Sequence, residues 1–198
     1  MKHQLTIESA KNLLHQHIKN QNLRRHCYAV GKAMAAYFDY YQTHGEGTGR
    51  LTREQWEITG LLHDADWEET TATPELHTLK LIEWLKEYEL DEDISNVFLS
   101  HNNKITKLRH PNTVIEWTLE CCDELTGFIV AVTLVMPEKK LANVTVERVL
   151  AKFKQKEFAK AVDRTQITQC EQCVGIGVEE FVGIALKAMQ DDHEELGL

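Results

Sequence analysis

Residues 112–136 read NTVIEWTLECCDELTGFIVAVTLVM, and the conformation of this one stretch decides the fold class. Its second half, Val130–Val135, is rich enough in β-branched residues to suggest a strand. It is attached, however, to Trp117-Thr118-Leu119-Glu120, which is periodic in the helical sense, and that argues for one continuous helix. The near-apolar run Leu125–Met136 is twelve residues long and contains Thr126, Gly127 and Thr133. It is too short to span a bilayer and suits a buried helix. Such a helix raises a chemical question, because Asp123 lies inside it, four residues after Leu119 and four before Gly127. A carboxylate in apolar surroundings is costly unless it is paired or bound to a metal.

Outward from this helix, almost every segment repeats its apolar residues with helical period. The spacing predicts helices over 5–19, 22–42, 53–65, 74–88, 91–101, 145–160, 166–173 and 178–192, beside 112–136. Start signals agree. Thr52-x-x-Gln55 is a capping box, in which each side chain satisfies a free backbone N–H of the first turn. Thr73-Pro74 puts proline at a first helical position, where its missing N–H costs nothing. Asn22 is the expected cap of the second helix. No stretch alternates apolar and polar residues between hairpin turns. The expected fold is therefore all-α: a helical bundle over 1–137, with a C-terminal helical extension over 138–198 packed on the same domain. The glycines of Thr43–Arg50 mark a surface loop. It lacks the Gly-Lys-Ser/Thr ending and the preceding strand of a phosphate-cradling loop.

The 198 residues, 42% apolar and 27% charged, suit one ordinary globular domain and exclude disordered or collagen-like classes. The formal net charge of −9 disfavours nonspecific binding to polymeric nucleic acid or to an anionic membrane. Met1–Asn20 is polar and lacks the apolar core of a signal peptide, so a cytoplasmic protein is expected. Of five cysteines, only Cys170 and Cys173 form a Cys-x-x-Cys pair. No second pair completes a zinc site, and a redox motif would want a strand–turn–helix context, so all five read as small core or incidental residues. Residues 139–164 carry eight Lys/Arg against three acids. The stretch could face a phosphate-rich substrate, but its Val146, Val149, Leu150 and Phe153 pattern reads better as ordinary packing with a solvated face.

The chain also contains ten histidines. Several share a helix face with apolar residues: His26 with Ala29, Val30, Ala33 and Tyr37; His63 with Trp56, Thr59 and Gly60; His77 with Leu81, Trp84 and Tyr88. His101 follows Val97 and Phe98 at the end of a short helix. Asp64, just after Leu61-Leu62 and His63, poses the same burial question as Asp123. Two carboxylates and several imidazoles converging on a divalent cation would resolve each other's burial. Adjacent His63 and Asp64 point about 100° apart on an ideal helix, but at a helix end both can turn toward one ion. Taken singly, each histidine fits a hydrogen-bonded core residue, and Asp123 could pair with Arg24, Arg25 or Lys32; it is the ordered set that points to a metal.

That set resembles the HD superfamily of metal-dependent phosphohydrolases. The matching pieces are His26 in Arg-Arg-His-Cys-Tyr-Ala-Val-Gly, His63-Asp64 in Gly-Leu-Leu-His-Asp-Ala-Asp, and Asp123 in Cys-Cys-Asp-Glu-Leu-Thr-Gly. The resemblance covers roughly 20 to 135, and 138–190 looks like the C-terminal part of a bacterial subgroup of undefined substrate. It implies an HD-type helical bundle. It also implies a hydrolase that cleaves a phosphate ester of a small molecule or nucleotide with a metal-activated water. By resemblance, His26, His63, Asp64 and Asp123 ligate a divalent cation such as Mn, Fe, Co, Ni, Zn or Mg. His77 and His101 match positions that bind a second ion or contact phosphate. Asp64, Asp66 and Glu68 are the expected catalytic carboxylates, and Arg24 and Arg25, flanking His26, the expected substrate cations. Two departures stand out: His101-Asn102 replaces the His-His pair of dinuclear branches, and Trp67 stands where nucleotidase branches carry a catalytic Glu. The alternative is a helical binding or regulatory module that keeps the bundle without catalysis.

Overall fold

A computed structural model describes residues 2–44 and 47–198. Within the expected loop Thr43–Arg50, Gly45 and Glu46 lie outside the described residues, and the preceding helix runs on to His44. The fold is all-α. The helices are α1 (Ile7–His17), α2 (Gln21–His44), α3 (Arg53–Leu62), α4 (Trp67–Thr70), α5 (Leu79–Trp84), α6 (Glu92–His101), α7 (Asn103–Thr106), α8 (Val114–Leu134), α9 (Val146–Phe153), α10 (Arg164–Thr168), α11 (Val178–Asp191) and α12 (His193–Leu196). Among the described residues, strand is limited to a two-residue parallel pairing of His3–Gln4 with Tyr88–Glu89. No helix of the described residues is long and apolar enough to cross a membrane.

The decisive segment is helical from Val114 to Leu134, opened by a capping box between Thr113 and Glu116. Thr52 and Gln55 form the box expected at the start of α3. The cap of α2 is Asn20 rather than Asn22: the Asn20 side-chain oxygen accepts from the backbone of Asn22 and Leu23. Two long predicted helices are broken. Over 74–88, a 3-10 turn at Pro74–Leu76 ends at His77, and Thr78 takes a left-handed φ of 68° before α5 begins. Over 145–160, the helix stops at Phe153. The chain beyond it is gathered by Arg164, whose guanidinium donates to the carbonyls of Phe153, Gln155, Phe158 and Ala159. The segment 166–173 divides into α10 and a π-type turn at Cys170–Val174.

The core forms where α2 meets α3, α8 and α11. At the α2–α3 crossing the two backbones touch: a Cβ on Gly60 would stand 2.7 Å from the Val30 carbonyl and 2.8 Å from Gly31. Glycine at these two positions is what lets α3 lie this close to α2. Farther along α2, Tyr37 stacks on Phe181 of α11 (ring centroids 4.3 Å apart) and donates to its carbonyl. Thus α2 is sandwiched along its length, with His26 near its N-terminal end and buried aromatics beyond.

Candidate metal centre

Three helix segments carry His26, His63-Asp64 and Asp123 to one point. His26 stands in the second turn of α2, His63 directly follows α3, and Asp123 lies midway along α8. His26 Nε2 lies 2.8 Å from Asp123 Oδ1 and 3.2 Å from His63 Nε2. His63 Nε2 is 3.5 Å from Asp123 Oδ1 and 3.5 Å from Asp64 Oδ2. On the other side, Asp64 Oδ1 faces His77 Nε2 at 3.3 Å and His101 Nε2 at 3.7 Å. The two oxygens of Asp64 therefore serve two different groups of imidazoles.

These spacings suit a cation. Ligands that each stand about 2.0–2.2 Å from one ion are about 3–3.5 Å from each other. Two sets of donor atoms, His26–His63–Asp123 and His63–Asp64–His101, each lie within 4.8 Å of one another and could hold an ion. The nitrogen and carboxylate donors suit Zn, Fe, Mn, Co or Ni.

Three of the rings are fixed from behind. His63 Nδ1 donates to the Gly60 carbonyl at 2.7 Å, His77 Nδ1 to Asp66 Oδ1 at 2.7 Å and His101 Nδ1 to Glu120 Oε1 at 3.0 Å. Each bond assigns the proton to Nδ1 and turns Nε2 inward, which is how metal-binding imidazoles are oriented. Glu120 is itself held by the Gln166 side chain, which donates to its Oε2 at 2.9 Å and to its backbone carbonyl at 2.7 Å.

The field in the cluster is strongly negative. Burial works against charge on the carboxylates, yet the facing imidazoles hold Asp64 and Asp123 well below the usual carboxylate range. Burial likewise opposes the imidazoliums, but it is outweighed at His26 by Asp123 and Asp64, at His77 by Asp64 and Asp66, and at His101 by Asp64 and Glu120; all three are raised.

The remaining expected site residues fall elsewhere. Asp66 is fully buried, and both its oxygens are engaged: one by His77, the other by the backbone N–H of Leu81 at 2.9 Å. It caps α5 and orients His77, where an acid or base was expected. Glu68 bonds away from the cluster. Its carboxylate accepts from the backbone N–H groups of Lys19 (2.9 Å) and Asn20 (2.6 Å), joining α4 to the α1–α2 connection. Arg24, an expected substrate cation, caps α1, donating to the carbonyls of Ile18 and His15. Arg25 lines a cavity beside His26. The basic stretch 139–164 contributes no lining residue to the space over the cluster; the cation there is Lys104 of α7, which bonds Gln166 and Asp163.

Several residues escape a reading of the sequence. Trp67 is 39% exposed and meets the His77 ring edge-on at 5.0 Å; with Ile105, Lys104 and Glu124 it lines the space above Asp64 and Asp123. Lys104, Gln166 and Ile105 carry no signal in the sequence. Glu120 does, because the cost of a carboxylate in an apolar helix applies to it as fully as to Asp123. Asn102 donates to the carbonyls of Pro74 and His77 and pins the turn that carries His77.

The cysteines are all free. Burial raises the thiols of Cys27, Cys121 and Cys122, and pushes Cys170 up to about 12. Such groups carry almost no thiolate at neutral pH and make poor redox nucleophiles.

Comparison of the chain with family models, with curated proteins and with solved structures finds no match. The fold and the cluster define the chain as an all-α protein with buried His/Asp groups able to hold a metal ion.

Proposed function

We propose that the chain is a metal-dependent phosphohydrolase of the HD type, acting on a phosphate ester of a small molecule or nucleotide. The observation that carries the reading is the shared carboxylate: Asp64 presents one oxygen to His26 and His63 and the other to His77 and His101. On this reading His26, His63, Asp64 and Asp123 hold one divalent cation, and Asp64, His77 and His101 offer donors to a second. A divalent cation bound here brings the pKa of water down toward about 7 and neutralises charge on phosphoryl oxygens. The chain supplies the rest. Lys104 offers an ammonium to the anionic substrate, Trp67 and Ile105 wall the open side, and the hydrogen bonds behind His63, His77 and His101 keep the donors aimed.

A second reading, a binding or regulatory module without catalysis, is favoured by one observation. The two carboxylates best placed in sequence for acid–base work, Asp66 and Glu68, are both committed to structural hydrogen bonds. Elemental analysis of the purified protein, followed by turnover assays on a panel of phosphate esters with Mn, Co, Ni, Mg and Zn, separates the two. Metal together with turnover supports the hydrolase. Stoichiometric metal with no turnover on any ester overturns it in favour of the module.

A further inference from the structure

Helix α8 contains a glycine for which packing gives no reason. Glycine is disfavoured in helix interiors. At Gly31 and Gly60 its use is plain, because a Cβ would press into a neighbouring backbone, whereas at Gly183 of α11 a Cβ would make only an ordinary contact, 3.8 Å from Val146. At Gly127 a Cβ would meet nothing within 4 Å. What lies there is a cavity of about 330 Å³, walled by Ala29 of α2, Gly127, Val130 and Leu134 of α8, and Leu196 of α12. Asn22, Arg25 and His26 bring polar groups to its wall, and Gly197 and Leu198 complete it.

Two features tie the cavity to the metal centre. His26 belongs to both, as a wall of the cavity and as the partner of Asp123 and His63. On α8, Asp123 and Gly127 are one turn apart, on the face continued by the half-buried Val130 and the exposed Leu134. The cluster therefore has a charged flank, with Lys104, Glu120 and Glu124, and an apolar flank beginning at His26.

We infer that the apolar cavity receives the organic group of the substrate and that Gly127 and Ala29 keep it open, so that the esters preferred are those of an apolar, ring-sized group. The inference rests on the phosphohydrolase reading for the ester but on the cavity alone for the group. Arg25 stands at the polar edge, where it can meet an anionic oxygen of the same substrate.

The test uses the full chain in the presence of Mn²⁺ and follows binding of two non-hydrolysable probes, 2-naphthylphosphonate and methylphosphonate, by calorimetry. The unaltered protein should bind the naphthyl probe at least about tenfold more tightly, since the ring buries apolar surface that the methyl group does not. Gly127→Leu should bring the two affinities together by weakening the naphthyl probe far more than methylphosphonate, with metal stoichiometry retained. Gly127→Ala, which takes less room and favours the helix, should lower the ratio partway, and it keeps the test open should the leucine variant fail to fold. Equal binding of the two probes, binding of neither, or a ratio unmoved by both substitutions overturns the inference. Equal binding accompanied by ester hydrolysis overturns the cavity assignment alone. The expected ratios without any hydrolysis support the cavity and overturn the hydrolase.

Discussion

The two flanks of the carboxylate–imidazole cluster are built by different means. His26, His63 and Asp123 stand on or directly after α2, α3 and α8, which cross one another in the core. Their separation is set by backbone packing, above all by the contact of Gly60 with Gly31 and Val30. His77 comes from a turn, and His101 from the last residue of α6, which packs on α8. There each ring is steadied by its own buried carboxylate, Asp66 or Glu120. One flank is positioned by helix geometry and the other by side-chain hydrogen bonds, and Asp64 joins them.

The largest effect should come from the residue both flanks share. Asp64→Ala removes a donor from each, so metal content should fall on both flanks and activity on a phosphate ester should drop by at least about 10³-fold, the equivalent of several kcal/mol of lost charge stabilisation. Circular dichroism should show the helices intact. If the variant retains its full complement of metal, the two flanks are not joined through Asp64.

The next substitution acts on the helix-built flank. Gly60→Ala pushes a methyl group into the backbone of α2, and forced overpacking of this kind costs about 1–3 kcal/mol. A lower unfolding temperature should come with weaker metal binding, because His63 follows α3 and moves with it. Asp66→Asn addresses the opposite flank. It leaves the long-helix crossing alone but weakens the charge-assisted bond to His77 and the cap on Leu81. Partners of this kind are worth about 10–100-fold in metal affinity or activity. Titration with metal should show that loss in one class of site; equal loss in both would erase the distinction between the flanks.

The same contrast explains what could be read in the chain before its fold was seen. α2, α3 and α8 announce themselves by apolar periodicity, and His26, His63, Asp64 and Asp123 by being polar on those apolar faces. The second flank is less legible because its geometry depends on contacts distant in sequence. The break of the predicted helix 74–88 needs Thr78 in a left-handed conformation, and the cap of α5 comes from Asp66, fifteen residues before Leu81. Neither has a local signature. Gln166 reaches Glu120 across 46 residues, and no spacing rule connects them. Arg24 and Glu68 show the converse: they are close in sequence to His26 and Asp64, yet bond the α1–α2 connection.

The smallest effect should come from Glu68→Gln, which serves as the control for Asp66→Asn two residues away. Backbone N–H groups of Lys19 and Asn20 hold the Glu68 carboxyl below its ordinary range. A carboxyl lowered by folding contributes stability that is present above its unfolded pKa and fades as the pH falls through its folded pKa. The contribution is therefore in place at neutral pH and disappears in acid. Glutamine can still accept one of the two hydrogen bonds but does not titrate. Unfolding temperatures of the variant and the unaltered protein should differ slightly at neutral pH and converge as the medium is acidified, with metal binding the same in both. A fall in metal affinity as large as that of Asp66→Asn would mean that the α4 segment, and not the buried Asp66–His77 bond, sets the second flank.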